Sequence, residues 1–436
     1  MERGSRRDIP ESAHWTYQDG ALSCDGVALA AIAQEVGTPA FVYSAAAIDE
    51  AYDALLAAVG RPCLVAYAIK ANGSLAILRR LAARGCGADI VSGGELARAL
   101  RAGIDPSKIV FSGVGKTDEE LRAALEAGIR AIHVESVPEL DAIEAVARAL
   151  GKKAPIALRV NPNVDAETHP YIATGIHGTK FGLELDAARP LLPRLVSSPH
   201  LKLEGVACHI GSQLGSSAPM ADAVAILAAF AVECAKAGAP IRTIDVGGGW
   251  PIRYGDEDRL PPPWRAFGRA IEAGLARGGA GGLEVDLVVE PGRALVGDAG
   301  GLLTRVIFVK HSDVAHGAKK RFVIVDAAMT ELIRPALYDA YHAVMPVRAS
   351  SETPTPADLV GPVCETGDFF AIDRPLPALE RGDLLLLRGA GAYGMSMASN
   401  YNSRPFAAEV MVEDGRARTI RRRQRVEELF DAEEPS

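Results

Sequence analysis

The 436-residue chain has six cysteines, at positions 24, 63, 86, 208, 234 and 364, but no CxxC pair and no zinc-like ligand spacing. That argues against a structural zinc or a paired redox site, and no metal is expected. Several of these cysteines sit in apolar runs, as buried free thiols do, which fits a reducing, cytoplasmic setting. The first residues, "MERGSRRDIPESAHW", carry charge but no apolar core, so no signal peptide is expected. No run of about 18 apolar residues stands out, so no membrane span is expected either. Basic charge is also scarce. With 47 Lys and Arg against 55 Asp and Glu, the net charge is −8, which argues against a general nucleic-acid binder. No sequence repeat is visible beyond the strand–helix period described next.

What is present is ordinary globular composition, 48% apolar and 23% charged, at a length that suggests two or three domains. From about residue 41 to 295, short β-rich runs alternate with helical stretches. Eight strand candidates recur: "LVAYAIK" (64–70), "GADIVSG" (87–93), "KIVFSG" (108–113), "AIHVES" (131–136), "IALRVNP" (156–162), "LEGVACHIGS" (203–212), "TIDVGGG" (243–249) and "LVVEPGR" (287–293). The intervening "SLAILRRLAARG", "GGELARALRAG" and "TDEELRAALEAG" close on glycine, as helix C-termini often do. "TDEE" and "SVPE" resemble capping boxes. Strand–helix alternation implies a parallel sheet. Eight units are the count for a (β/α)8 TIM-like barrel, with an open doubly wound sheet as the alternative. After residue 295 the texture turns to strands separated by Pro, Gly and Asp turns, predicting a C-terminal β-rich domain. It would comprise residues 1–40 and 296–436, with "RASSETPTPADLVG" (348–361) as a polar loop.

Barrel active sites lie at the C-terminal strand ends. There the sequence places Lys70, Asp89, His209, the triplet Gly247, Gly248 and Gly249, and Glu290 with Arg293. Each has a bland alternative: a solvated strand terminus, a satisfied polar histidine, an ordinary tight turn or a turn acid. Convergence on one mouth is harder to explain that way. An amine for an aldehyde, a backbone anion cradle and a carboxylate for a ring nitrogen together point to pyridoxal phosphate. Glu290 would keep the ring nitrogen protonated and the ring a strong electron sink.

All of these except Asp89 lie within "YAIKAN" (67–72), "CHIGSQ" (208–213), "DVGGGWP" (245–251) and "EPGR" (290–293), and "HPYIATGIHGTKFG" (169–182) stands among them in the sequence. Further motifs follow in "RPALYDAYH" (334–342), "CETGD" (364–368) and "GAYGMSMASNYNSRP" (391–405). As a set they resemble the barrel-type (fold type III) pyridoxal-phosphate amino-acid decarboxylases, over about residues 15–425. The resemblance is strongest to the branch acting on meso-2,6-diaminopimelate, and implies its decarboxylation to L-lysine and CO2. It implies that Lys70 carries pyridoxal 5'-phosphate as a Schiff base and that His209 stacks on the ring. Asp89, Ser212, Gly247, Gly248, Gly249, Glu290, Pro291, Gly292, Arg293 and Tyr393 would hold the cofactor. Arg293, Arg334, Tyr338, Glu365 and Tyr393 would bind substrate. Cys364 would return a proton after CO2 leaves, a thiol losing its proton more readily than an alcohol.

The resemblance further implies a homodimer with shared sites, in which Cys364 and Glu365 reach the partner's site. A distal carboxylate suits an arginine fork, and Glu365 suits the distal ammonium. Two departures, the threonine after Glu365 and "GMSM" after Tyr393, leave decarboxylation of a related amino acid such as ornithine, lysine or arginine open. A racemase is a more distant alternative, because it would place an arginine where Glu290 stands.

Overall fold

The computed structural model describes residues 12–165, 180–255, 260–313 and 319–433. Most of "HPYIATGIHGTKFG" lies outside the described residues. The chain forms two compact units. One comprises Tyr52–Ile252 and Pro261–Ala294, the other Met1–Ala51, Arg253–Leu260 and Leu295–Ser436.

The first unit is a closed ring of eight parallel strands: β1 (Cys63–Ala68), β2 (Gly87–Ile90), β3 (Ile109–Phe111), β4 (Ala131–Val134), β5 (Ala154–Asn161), β6 (Leu201–Ala207), β7 (Thr243–Asp245) and β8 (Asp286–Val289). Each strand pairs with the next, and β8 returns to β1 through Leu287–Cys63, Val288–Leu64 and Val289–Val65. The β-branched and aliphatic strand residues are almost wholly buried, as expected where helices cover a parallel sheet. Ala66, Val110 and Val288, from three different strands, meet in the interior.

Most strands stop earlier than their apolar runs predict. β1 ends at Ala68, where its last ladder partner is Asp89, and Ile69–Ala71 winds into a single 3-10 turn. Lys70 is therefore presented by a turn beyond the strand. His209 likewise follows β6 by two residues and the glycine triplet follows β7.

Helix ends follow local chemistry. Thr117 and Glu120 form a reciprocal capping box, and Gly128 closes that helix in the left-handed region at φ 73°. In "SVPE" only half the box forms. The Ser136 hydroxyl accepts from the Glu139 N–H, but the Glu139 carboxylate turns back to the Glu135 N–H.

The helix Ala218–Lys236 is long and apolar enough to span a membrane by length and composition alone. It is a core helix: Met220, Val224, Leu227 and Phe230 are buried on its inner side, and helix Trp264–Arg277 packs along it. Two glycines allow that approach. A Cβ on Gly274 would lie 2.7 Å from the Ala221 carbonyl, and one on Gly278 2.5 Å from the Ala225 carbonyl.

The second unit is β-rich. Its main sheet runs in the order Phe369–Leu376, Thr355–Val360, Lys319–Val325, Gly300–Asp313, Ala40–Ser44, Ala408–Glu413, Arg416–Arg421. Leu384–Leu387 pairs with both Gly300–Asp313 and Val344–Pro346. A small antiparallel sheet, Trp15–Gln18, Ala21–Cys24 and Val27–Ala28, and the helix Leu29–Val36 complete its core. There Leu22, Leu29 and Ile32 meet Val42, Leu303, Leu386 and Val410. Ala40–Ser44 belongs to this sheet through its pairing with Gly300–Leu303, and the barrel unit starts at Tyr52 instead of near 41. The expected loop 348–361 is also corrected. Its second half is a strand whose Ala357, Asp358 and Leu359 are buried, with Asp358 held by Lys320 at 2.6 Å.

Gly278→Ala forces a methyl against the facing helix and should destabilise the protein by about 1–3 kcal/mol. A denaturant titration checks this, and an unmoved midpoint would contradict the close packing of these helices.

Candidate active site

The barrel's C-terminal end gathers an amine, three carboxyls, two imidazoles and a glycine turn. Lys70 reaches across to Asp89 of β2, its Nζ donating to Oδ2 at 2.5 Å. The Asp89 side chain is fully buried, and its other oxygen has no hydrogen-bond partner among the described residues. Glu95, which accepts from the Val91 N–H, is pushed up to about 7 by burial, with the nearby Asp89 adding to it.

His209 is held from behind. The Gly248 N–H donates to its Nδ1 at 3.0 Å. A neutral imidazole whose Nδ1 accepts must carry its hydrogen on Nε2. Burial drives the ring's pKa down to about 3, with Arg159 and Lys70 adding to the effect, so the ring is neutral. The glycines are structural necessities. Gly247 has φ 71° and Gly249 φ 97°, and a Cβ on Gly247 would lie 2.5 Å from the Cys208 carbonyl. A Cβ on Gly248 would strike the Glu290 carbonyl. The Glu290 N–H in turn donates to the Gly247 carbonyl at 2.8 Å, which locks the turns after β7 and β8 together.

Pro291 accepts from the Ala68 N–H at 3.0 Å, and a Cβ on Gly292 would fall 3.0 Å from that of Ala71. The "EPGR" turn is thus seated against the segment that carries Lys70. Arg293 donates to the Ser212 hydroxyl at 3.2 Å. These two side chains and the neighbouring backbone form a polar, cationic corner suited to an anion.

Behind Glu290 lies a buried cluster that sequence reasoning missed. The Ser112 hydroxyl sits 3.1 Å from His133 Nδ1 and 3.5 Å from Glu290 Oε1, and His133 Nε2 is 3.7 Å from Asp245 Oδ2. Ligand atoms of His133, Asp245 and Glu290 lie within 4.8 Å of one another. Burial, then Asp245 and Asp89, pushes the Glu290 carboxyl well above the usual range. Burial also raises Asp245 to about 7 and lowers His133 to about 3. The interior therefore resists ionising Glu290 unless a cation is placed beside it. The one available signal was His133 itself, a lone polar residue inside the apolar run of β4.

Further out, Arg159 pairs with Glu135 at 2.6 Å and lies over the Phe181 ring. Glu135 also accepts from the Gly113 and Gly182 N–H groups. Burial opposes its ionisation, but Arg159 and Lys116 prevail and its pKa is lowered.

A model of the pyridoxal-dependent decarboxylase family, pyridoxal binding domain, matches residues 45–297. The chain belongs to the pyridoxal-dependent decarboxylases. It is 50% identical to a diaminopimelate decarboxylase of Pseudomonas aeruginosa over 96% of this chain and 98% of that one. Two crystal structures of diaminopimelate decarboxylases complexed with L-lysine superpose well. That from Helicobacter pylori has TM-score 0.87 and 42% identity, covering 93% of this chain and 99% of the other. That from M. jannaschii has TM-score 0.91 and 36% identity, covering 97% and 98%.

The residues present fit the cofactor of this decarboxylase family. A lysine amine at the barrel mouth suits an aldehyde, and among the described residues the buried Glu290 carboxyl forms no ion pair with a lysine or arginine. The Arg293–Ser212 corner suits a phosphate. The remaining expected residues belong to the β-rich unit. Arg334 is buried at the start of a one-turn helix, Arg334–Tyr338. Cys364 is exposed, its N–H donating to Asn402. The adjoining Asp368, which sequence reasoning also passed over, accepts from the Met329 and Val363 N–H groups, at 2.6 and 2.7 Å. It thereby ties the segment leading to Arg334 to the turn carrying Cys364 and Glu365. Tyr393 is held at φ 57°, a costly conformation for a non-glycine residue.

Asp245→Asn should change how the cofactor-free protein responds to pH. With Asp245 raised from 3.8 to about 7, the folded state holds the extra proton, so this group's contribution to stability falls as pH rises through that window. The two low-pKa histidines act in the opposite sense up to their unfolded value of 6.5. Removing Asp245 should make stability rise more steeply between pH 4 and 6.5, measured by denaturant titration at several pH values. An unchanged slope would contradict the assignment.

Proposed function

We propose that the protein decarboxylates meso-2,6-diaminopimelate to L-lysine and CO2, using pyridoxal 5'-phosphate. The observation that carries this reading is the barrel mouth itself, where Lys70 faces Asp89 while the buried Glu290 forms no ion pair with a lysine or arginine among the described residues. The near full-length similarity to diaminopimelate decarboxylases supports the choice of substrate.

Lys70 would hold the cofactor covalently through its amine, and the Asp89 carboxylate orients that amine. Arg293, Ser212, the glycine turn at 247–249 and Tyr393 would take the phosphate. His209, its ring anchored by the Gly248 N–H, would stack on the cofactor ring. When bound, the cofactor supplies an electron sink for the pair left behind as CO2 departs. Glu290 would pair with the ring nitrogen and hold its proton, with Ser112 and His133 beside that carboxyl. Arg334 grips the carboxylate at the far end of the substrate, with Tyr338 beside it, and Glu365 takes the distal ammonium. Cys364 delivers a proton to the α-carbon. The protein works in the cytoplasm as a homodimer, in which Cys364 and Glu365 serve the partner's barrel.

Incubation of the holoenzyme with meso-diaminopimelate should release lysine and CO2, detected by mass. Arg334→Ala should raise the KM for diaminopimelate by about tenfold or more, the loss expected for one charged hydrogen-bonding partner. It should affect turnover of L-lysine or L-ornithine far less. Equal losses on every substrate, or no lysine from the unmodified enzyme, would refute the substrate assignment.

A further inference from the structure

The Arg334 guanidinium is held on two sides by residues to which no role has yet been assigned. We infer that His342 and Tyr254 are positioning residues for Arg334, with His342 a neutral acceptor that aims the guanidinium and thereby sets selectivity for the distal carboxylate. This rests on the role proposed for Arg334 above and specifies what builds that subsite.

The geometry fixes the protons. Arg334 Nη1 is 2.9 Å from His342 Nε2, and His342 Nδ1 is 2.8 Å from the Arg388 carbonyl. A carbonyl only accepts, so Nδ1 carries the hydrogen, and a guanidinium only donates, so Nε2 is bare. His342 is fully buried and held as one neutral tautomer. A second proton would point at the guanidinium and break the contact. Cationic side chains occupy the surroundings. Arg374 donates to the His342 carbonyl at 2.9 Å, and Arg388 pairs with Asp298 at 2.6 Å.

Tyr254 fixes the plane. The guanidinium lies 4.9 Å from its ring centroid, and the same ring meets the His342 imidazole edge-on at 5.6 Å and 80°. One aromatic ring thus braces both the arginine and its acceptor. The sequence makes this arrangement possible in two places. Asp339, at φ 51°, ends the helix after five residues and lets the chain bring His342 back to Arg334. Gly389, at φ 68°, leaves room for Tyr254, since a Cβ there would sit 3.0 Å from its ring. A carboxylate-binding arginine gains most when its fork is oriented before substrate arrives, because the ordering cost is then already met.

Two substitutions separate positioning from packing. His342→Asn keeps an N–H for the Arg388 carbonyl but has no acceptor at the Nε2 position. His342→Gln can present an oxygen to Arg334 but loses the donor. In steady-state kinetics of the holoenzyme with meso-diaminopimelate, H342N should raise KM about tenfold with kcat within about twofold. H342Q should raise KM less, and H342N should add nothing in an R334A background. A larger KM for H342Q than for H342N would overturn the inference. So would a fall in melting temperature and kcat at unchanged KM. Should H342N fail to fold, Tyr254→Leu carries the test. A raised KM supports the inference and an unchanged one overturns it. If R334A alone leaves KM unmoved, the substrate assignment fails first. If R334A raises KM but H342N does not, only the positioning role fails.

Discussion

Everything at the barrel mouth depends on the cost of ionising carboxyl groups that water does not reach. Asp89, Asp245 and Glu290 are buried within one small region, where burial raises the Glu290 and Asp245 carboxyls and the neighbouring Asp89 adds to both. Asp89 is matched by the ammonium of Lys70. Glu290 faces a neutral histidine and a hydroxyl, neither of which supplies positive charge. A protonated heteroaromatic ring is the kind of group that would let this buried carboxyl ionise. Under the proposed function, binding and activation of such a ring would be one event, because the carboxylate that gained a partner would also keep the ring electron-poor.

The β-rich unit solves a different problem. The proposed function gives its candidate residues the task of binding and protonating a small, highly charged molecule; Arg334 and Tyr338 sit on a one-turn helix, while Cys364, Glu365 and Tyr393 sit on turns. Asp368 ties two such loops together through N–H groups, and Tyr393 adopts a left-handed conformation that only surrounding structure can sustain. Arg334 is planted against Tyr254 and His342. The guanidinium is thus supported by two buried rings.

The barrel was legible in the sequence because buried parallel strands must be apolar and each must be followed by a helix. Eight repeats of that alternation leave few architectures. The strand-end residues were legible for the same reason: a polar residue that closes an apolar run is exposed by its context. What could not be read was pairing across the chain. Nothing in "AIHVES" says that His133 will face Glu290, more than 150 residues away. Ala40–Ser44 is an apolar run like any barrel strand, and only its partners at Gly300–Leu303 place it in the other unit. Thr355–Val360 was hidden by two prolines and a polar approach, which local turn signals favour, whereas burial of Ala357 and Leu359 decides for a strand. His342 and Tyr254 were missed because each looks unremarkable alone, and their role exists only in their contact with Arg334.

The central claim is that burial obliges Glu290 to pair with a cationic ring nitrogen. The most direct test is the 15N chemical shift of the ring nitrogen in holoenzyme prepared with labelled cofactor, compared with the Glu290→Gln variant. A protonated nitrogen across neutral pH in the native protein, lost on substitution, is the predicted result. A neutral nitrogen in both, with unchanged turnover, would contradict the account.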